Sequence, residues 1–188
     1  MIKRKIILAS QSPRRKQLLA EAGFEFEIKL ADVEETYPED LDVREVPAFL
    51  AIKKATAALQ FIENEEVIVA SDCVVILENK IYGKPTDFDD AVNILTALSG
   101  KMHEVITGVC LLSKEKQVVF SGVSKVFFKT LTRDEIEFYV NTYKPFDKAG
   151  AYAIQEWIGL TKIAKIEGTY SNIMGLPMDL VYDELMSF

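Results

Sequence analysis

The chain has a single histidine, His103, and two cysteines, Cys73 and Cys110, and this scarcity removes several chemistries at once. The cysteines lie far apart with no Cys-x-x-Cys spacing, so they read as reduced thiols and not as a disulfide framework or a zinc site. A Ser-His-Asp or Cys-His relay would have to run through His103. That residue follows the turn-like Ser99-Gly100-Lys101-Met102, and a structural hydrogen-bonding role suits it better. No sequence feature identifies a partner that would make Cys73 a nucleophile. Also missing are Gly-x-x-x-x-Gly-Lys-Ser/Thr, Gly-x-Gly-x-x-Gly and His-Glu-x-x-His. A P-loop enzyme, a dinucleotide-binding Rossmann domain and a zincin lose ground accordingly.

Long apolar runs are absent too. Met-Ile-Lys-Arg-Lys looks like the charged start of a signal peptide, but its apolar continuation is only Ile6 to Ala9 before Ser10-Gln11-Ser12-Pro13-Arg14-Arg15 turns polar. No segment approaches the apolar length needed to cross a bilayer, so a cytoplasmic protein without membrane attachment is expected. Basic residues are outnumbered, 22 against 29 acidic ones, for a net charge of -7. That balance argues against nucleic acid polymers as partners. A small phosphorylated ligand would need a local basic cluster, a metal ion, or both, set against the overall field. No repeat, low-complexity stretch or linker divides the chain, and one domain over residues 1–188 is expected.

What the sequence does hold is a core. Apolar residues make up 49% of it, enough to fold without metal or disulfide staples. Strand and helix signals alternate, which predicts an α/β layer architecture. A short strand over Lys5–Ala9 runs into a helix with Ser12 as N-cap and Pro13 as first residue, ending at Gly23. Phe24–Leu30 reads as a second strand. A longer helix is expected over Glu45–Ile62, with Phe49, Ile52, Ala55, Leu59 and Ile62 at helical spacing. Val67–Ala70 and Val74–Leu77 are β-branched runs on either side of Ser71-Asp72-Cys73. Asp87–Leu98 is amphipathic, and Val105–Leu112 and Val118–Lys129 look like paired strands joined at Lys114-Glu115-Lys116. Thr132 with Glu135 forms a capping box for a helix ending near Tyr143. Gly150, Gly159, Gly168 and Gly175 punctuate a loop-rich segment before a final helix from about Pro177.

Several polar segments could carry chemistry. Ser10 to Arg15 spans a strand-to-helix junction, where unpaired N–H groups and the positive dipole end favour phosphate. Arg14 and Arg15 in that first turn oppose the dipole, which suggests an anion to neutralise; the plainer reading is a capped helix with two solvated arginines. Asp72 between two apolar runs is costly to bury unless paired, hydrogen-bonded or bound to metal. It suits a strand end, where α/β active sites gather, or equally a turn. Asp32-Val33-Glu34-Glu35 adds three carboxylates after a predicted strand, which with Asp72 could bind Mg²⁺ or could form a solvated loop. Lys54, beside the stripe of its helix, and Lys84, held between Gly83 and Pro85, are candidate phosphate partners or ordinary surface lysines.

Taken in order, these segments resemble the Maf family of nucleotide pyrophosphatases. The resemblance runs from Leu8-Ala9-Ser10-Gln11-Ser12-Pro13-Arg14-Arg15 through Val33-Glu34-Glu35, Lys54-Ala55, Ala70-Ser71-Asp72, Gly83-Lys84-Pro85 and Ser99-Gly100, with His103 and Thr107-Gly108. It closes on Asp147-Lys148-Ala149-Gly150-Ala151-Tyr152-Ala153-Ile154-Gln155 and Gly175-Leu176-Pro177. It implies an inosine triphosphate pyrophosphatase-like α/β fold, a mixed sheet with two lobes around a central cleft. It also implies Asp72 as proton acceptor or metal ligand, Glu35 as ligand to Mg²⁺ or Mn²⁺, and Ser10, Arg14, Arg15, Lys54 and Lys84 as other polar cleft positions. The expected reaction cuts a nucleoside triphosphate to a monophosphate and pyrophosphate, and a homodimer belongs to the same expectation.

Base choice follows from Gln155. The family's dTTP/UTP subgroup looks like Gly-Ala-Tyr-Gly-Ile-Gln, against Gly150-Ala151-Tyr152-Ala153-Ile154-Gln155 here. A glutamine amide can accept from N3–H of thymine or uracil and donate to O4, whereas a glutamate would suit guanine. Two departures stand out. Cys73 occupies a position where the subgroup usually has Thr, and Glu156 follows Gln155, so a small loop shift would present a carboxylate. Competing expectations are a non-catalytic nucleotide-binding regulator of cell division, a purine house-cleaning pyrophosphatase acting on ITP, and a plain phosphatase.

Overall fold

The computed structural model describes residues 4–188; the first three residues of the signal-like start, Met1 to Lys3, lie outside them. Its spine is the strand β3 (Val67–Leu77), whose eleven residues, Val-Ile-Val-Ala-Ser-Asp-Cys-Val-Val-Ile-Leu, are mostly β-branched or apolar. The break expected at Ser71-Asp72-Cys73 is not there. The strand runs straight through, because β5 (Met102–Leu112) pairs with it continuously from Ile68 to Ile76, with Asp72 opposite Gly108.

Around this spine lies one mixed sheet in the order β2-β1-β3-β5-β6-β7, with β4 also on β3. Strands β1 (Ile6–Leu8) and β2 (Phe26–Ile28) are parallel to their neighbours and joined by helix α1 (Pro13–Glu21). Strand β4 (Lys80–Tyr82) turns back antiparallel on the end of β3 through Glu78 and Asn79, both at positive φ. The long β5–β6 hairpin places β6 at Gln117–Phe128, and β7 (Ile163–Glu167) closes the edge.

Both faces of the sheet are covered, which fits the near-continuous burial of β3. One face carries two separate apolar clusters. The first joins Val75, Leu77, Val105 and Val126 to helices α3 (Phe88–Leu98) and α4 (Arg133–Tyr143). The second joins Ile6, Leu8, Val69 and Leu111 to α1 and to helix α7 (Met178–Ser187). These are the two lobes. The other face is covered by helix α2 (Val46–Ala58) over Ile68, Ala70, Cys110 and over Val74, Ile76, Ile106.

Helix α2 differs from its expected stripe. It buries Val46, Leu50, Ala51, Ala55 and Ala58, while Phe49 and Leu59 are 36% exposed and the last turn is a 3-10 turn over Leu59–Phe61. The reason is distance. A Cβ on Gly108 would sit 2.3 Å from backbone atoms of Pro47 and Ala48, so only small residues fit between helix and strand. The alanine side, not the bulkier side, therefore meets the sheet.

The capping box of Thr132 and Glu135 forms as expected, and Asp87 caps α3. The segment expected to be loop-rich instead holds two short helices, α5 (Trp157–Lys162) and α6 (Tyr170–Met174), besides β7. No helix among the described residues is long and apolar enough to cross a membrane.

Candidate active site

Strand β1 pairs with one edge of β3 only as far as Val69, and β4 takes up the same edge only from Val75. Between them the edge of β3 is open, and a cleft of about 500 Å³ enters there, between the two apolar lobes. Asp72 and Cys73 lie in this gap. The expectation that Asp72 ends a strand is therefore corrected. It sits in mid-strand, made accessible because the neighbouring strand stops short.

Ser10, Arg14, Arg15, Glu35, Lys54, Asp72, Cys73, Lys84 and Gln155 all line this cleft. They come from six separate parts of the chain, which the sheet brings to one gap. Lys54, on the second half of α2, reaches across to the strand. Its Nζ lies 2.6 Å from Asp72 Oδ1 and 2.7 Å from Glu35 Oε1. Glu35 rides on the irregular stretch after β2, whose next residue, Thr36, accepts from Lys53 Nζ through Oγ1 at 3.0 Å. Lys84 Nζ stands 3.7 Å from the other Glu35 oxygen, and Gly83 O accepts from Gly150 N–H, tying the Lys84 segment to the far wall.

The turn into α1 forms the opposite wall. Ser12 takes the N-cap position with Pro13 behind it, as expected, but its side chain makes no capping hydrogen bond and no acidic residue lies in the first turn. Arg15 folds back, donating from Nε to Gly175 O at 2.9 Å and from Nη1 to Ser10 Oγ at 3.1 Å. Its guanidinium is thus held toward the cleft rather than free in solvent. Arg14 approaches Asp147 at 3.7 Å.

Burial lowers the Arg15 guanidinium from its ordinary value, and the Asp72 charge works the other way. Partial burial works against ionised Glu35, but the Lys54 hydrogen bond and the Lys54, Lys84 and Arg15 charges outweigh it and hold that carboxyl below its usual value. Burial raises the Cys73 thiol, so it is no thiolate nucleophile. Five basic side chains, those of Arg14, Arg15, Lys54, Lys84 and Lys148, line the cleft beside Asp32, Glu35, Asp72 and Asp147. In a chain of net charge -7, this is the local basic cluster that an anionic ligand requires.

His103 stands outside the cleft, 1% exposed, with Nε2 2.8 Å from the Tyr152 hydroxyl and its ring edge against Phe128. Its structural role is as expected. Gln155 is exposed in the cleft, while Glu156 is turned away to the Tyr139 hydroxyl and Lys148. The carboxylate thus does not replace the amide.

Further residues complete the cleft beyond those expected from the sequence. Lys148, buried and paired with Asp147 at 2.8 Å, and Tyr152 were visible only as parts of a motif. Gly175 contributes a backbone carbonyl, for which a sequence carries no signal. Asn172 fixes that region: its side-chain amide donates to Val105 O and Ser124 Oγ, and its backbone carbonyl accepts from the Thr107 hydroxyl.

A family model described as Maf-like protein matches residues 5–188. The chain belongs to the Maf family. A dTTP/UTP pyrophosphatase of Phocaeicola vulgatus is 48% identical to it over 184 residues, 97% of this chain and 95% of the relative. The dTTP/UTP pyrophosphatase of Flavobacterium johnsoniae is 46% identical over 183 residues, 97% of this chain and 94% of that one. The structure of a HAM1 protein from Coxiella burnetii matches this Maf chain with a TM-score of 0.54 over 98% of it and 100% of the other, at 17% identity. That likeness concerns the fold alone, and agrees with the expected mixed α/β sheet.

Proposed function

We propose that this Maf chain hydrolyses dTTP and UTP to the nucleoside monophosphate and pyrophosphate, with Asp72 as the proton acceptor. Relatives at 43–48% identity bear the name dTTP/UTP pyrophosphatase. The observation that carries the reading is the convergence of Asp72 and Glu35 on one cation, Lys54 Nζ, in a cleft walled by arginines and by a helix start.

The same convergence bears on Mg²⁺ or Mn²⁺. No group of three or more His, Cys, Asp or Glu side chains among the described residues could hold a metal alone. Two carboxylates already sharing a cation do suit a hard divalent ion that takes its other ligands from phosphate oxygens and water. Glu35 and Asp72 would hold it. Such an ion, when bound, supplies charge neutralisation along the phosphates and a more acidic water.

The remaining steps belong to the side chains. Lys54, Lys84, Arg14 and Arg15 offset the triphosphate charge, and the uncapped amides of α1 add partial positive charge. Asp72 takes a proton from the attacking water, and Lys54 Nζ, 2.6 Å from Asp72 Oδ1, fixes where that carboxylate points. Gln155 reads the base edge of thymine or uracil, accepting from N3–H and donating to O4. Modified pyrimidine nucleotides that keep this edge fall within the same substrate class. The reduced thiols Cys73 and Cys110 suit the cytoplasm as the site of action.

Purified protein with Mg²⁺ and a panel of nucleoside triphosphates tests this, with pyrophosphate and inorganic phosphate detected separately. Monophosphate plus pyrophosphate, fastest from dTTP and UTP, is expected. Preferred use of ITP would overturn the substrate, and release of inorganic phosphate alone would overturn the reaction.

A further inference from the structure

Gln155 reaches the cleft from a tight turn. Glu156 N–H donates to Ala153 O at 3.2 Å, which closes the turn, and Ile154 is buried in the core at 4% exposure. Ala153 and Gln155 both line the cleft, and Gln155, the third residue of the turn, is its one exposed side chain. Its direction therefore depends on what holds the two ends.

One hydroxyl holds both. Tyr139, fully buried on α4, accepts from Ala153 N–H at 3.1 Å and donates to a carboxylate oxygen of Glu156. The second Glu156 oxygen lies 3.5 Å from Lys148 Nζ, which also donates to Asp147 Oδ1 at 2.8 Å. Asp147 in turn faces Arg14 at the phosphate wall. A buried hydroxyl and a buried ammonium that would each be costly to leave unpaired are thus both satisfied by Glu156. Rotating Glu156 into the cleft would strip both of that partner.

We propose that Glu156 is the positioning residue for base selection: clamped between the Tyr139 hydroxyl and the Lys148 ammonium, it locks the 153–156 turn so that the Gln155 amide faces the nucleobase. This rests on the pyrimidine reading of the cleft. Glu156 touches neither base nor phosphate, and its influence passes through the angle at which Gln155 is presented. A site whose polar groups are set for one base edge rejects others because mismatched groups are left unpaired, and a loosened turn relaxes that rejection.

The test is the ratio of kcat/KM for dTTP to that for dCTP in wild type and in Glu156→Ala, Glu156→Gln and Tyr139→Phe. Glu156→Ala should lower the ratio about tenfold, the equivalent of roughly one well-made hydrogen bond. The loss should fall on KM for dTTP, with kcat held within about twofold. Glu156→Gln retains an acceptor for Tyr139 and should restore most of the ratio; Tyr139→Phe should reproduce the Ala result. An equal loss for every base, carried by kcat, would make the network merely structural and overturn the proposal, as would an unchanged ratio. Should Tyr139→Phe fail to fold, the Glu156 pair decides alone. If wild type prefers a base other than thymine or uracil, the substrate reading falls first. The proposal is then tested on that preferred base against its nearest competitor.

Discussion

At the scale of single residues, the cleft depends on groups whose cost of burial is met by a partner. Asp72 and Lys54 are 13% and 16% exposed as side chains, and each offsets the other's desolvation. Asp72→Asn removes the proposed proton acceptor yet leaves an amide that still hydrogen-bonds Lys54. It should keep the fold, by circular dichroism and thermal midpoint, and lower kcat by about 10²–10⁴. Wild-type turnover in the folded variant would end the assignment. Gln155 carries a separate question. With its protein neighbours held elsewhere, Gln155→Glu should lower kcat/KM for dTTP and UTP about tenfold or more while guanine nucleotides lose less, because a carboxylate repels O4. An unchanged substrate profile would mean that residue 155 does not face the base. These side chains were legible in the sequence because charged residues inside apolar runs need a reason. Lys148 was harder to recognise, since its partner Glu156 is eight residues away and only the folded turn brings them together.

At the scale of elements, β5 shows how a strand can position a site without contributing charge to it. Gly108 lies opposite Asp72, and its missing side chain admits the start of α2, the helix that delivers Lys54. Gly108→Ala should force helix and strand apart and cost about 1–3 kcal/mol of stability, read as a lower denaturation midpoint. The same strand carries His103 in the lobe formed by α3 and α4. Burial pulls its imidazole down to about 4 from an ordinary 6.5. Protonation therefore favours the unfolded chain, and the penalty grows as pH falls from 6.5 toward 4, reaching up to about 3 kcal/mol, then levels off. Above pH 6.5 it is absent. His103→Gln, which can still bond Tyr152, should flatten the stability-against-pH curve in that window, and equal slopes would show that other groups govern acid unfolding. Most elements were legible because period and capping are local signals, as in Thr132 with Glu135. The unbroken β3 was not. Its continuity through Ser71-Asp72-Cys73 comes from β5, which pairs through the polar residues and whose Gly108, opposite Asp72, is 36 residues away in sequence. The face of α2 was missed for the same reason, since a neighbour, Gly108, decides which side is close enough to pack.

At the scale of the whole molecule, the cleft opens where two lobes part. The α3–α4 cluster and the α1–α7 cluster share one sheet face and are bridged by the partly buried Ile163 and Ile173, and the polar residues of β3 and the α1 turn line the cleft beside them. That the nine expected site residues gather there was legible only as an ordered set of fragments; the gap left by the short β1 was not, because strand length is fixed by pairing partners. A ligand spanning such a gap adds contacts that the unfolded chain cannot make, so it must stabilise the fold by mass action. A dTTP analogue with a non-hydrolysable α–β bridge, at about 100 times its Kd with Mg²⁺, should add about 2.7 kcal/mol and raise Tm by roughly 5–10 °C for a chain of this size. The metal reading makes a sharper demand. Lys54 already neutralises part of the Asp72 and Glu35 charge, and triphosphate entering without a divalent ion meets those carboxylates directly. The shift should therefore shrink to a small fraction in chelator and return with Mg²⁺ or Mn²⁺. An equal shift in chelator would mean that the arginines and lysines hold the triphosphate unaided, and the proposed metal role of Glu35 would fall while the nucleotide site stood.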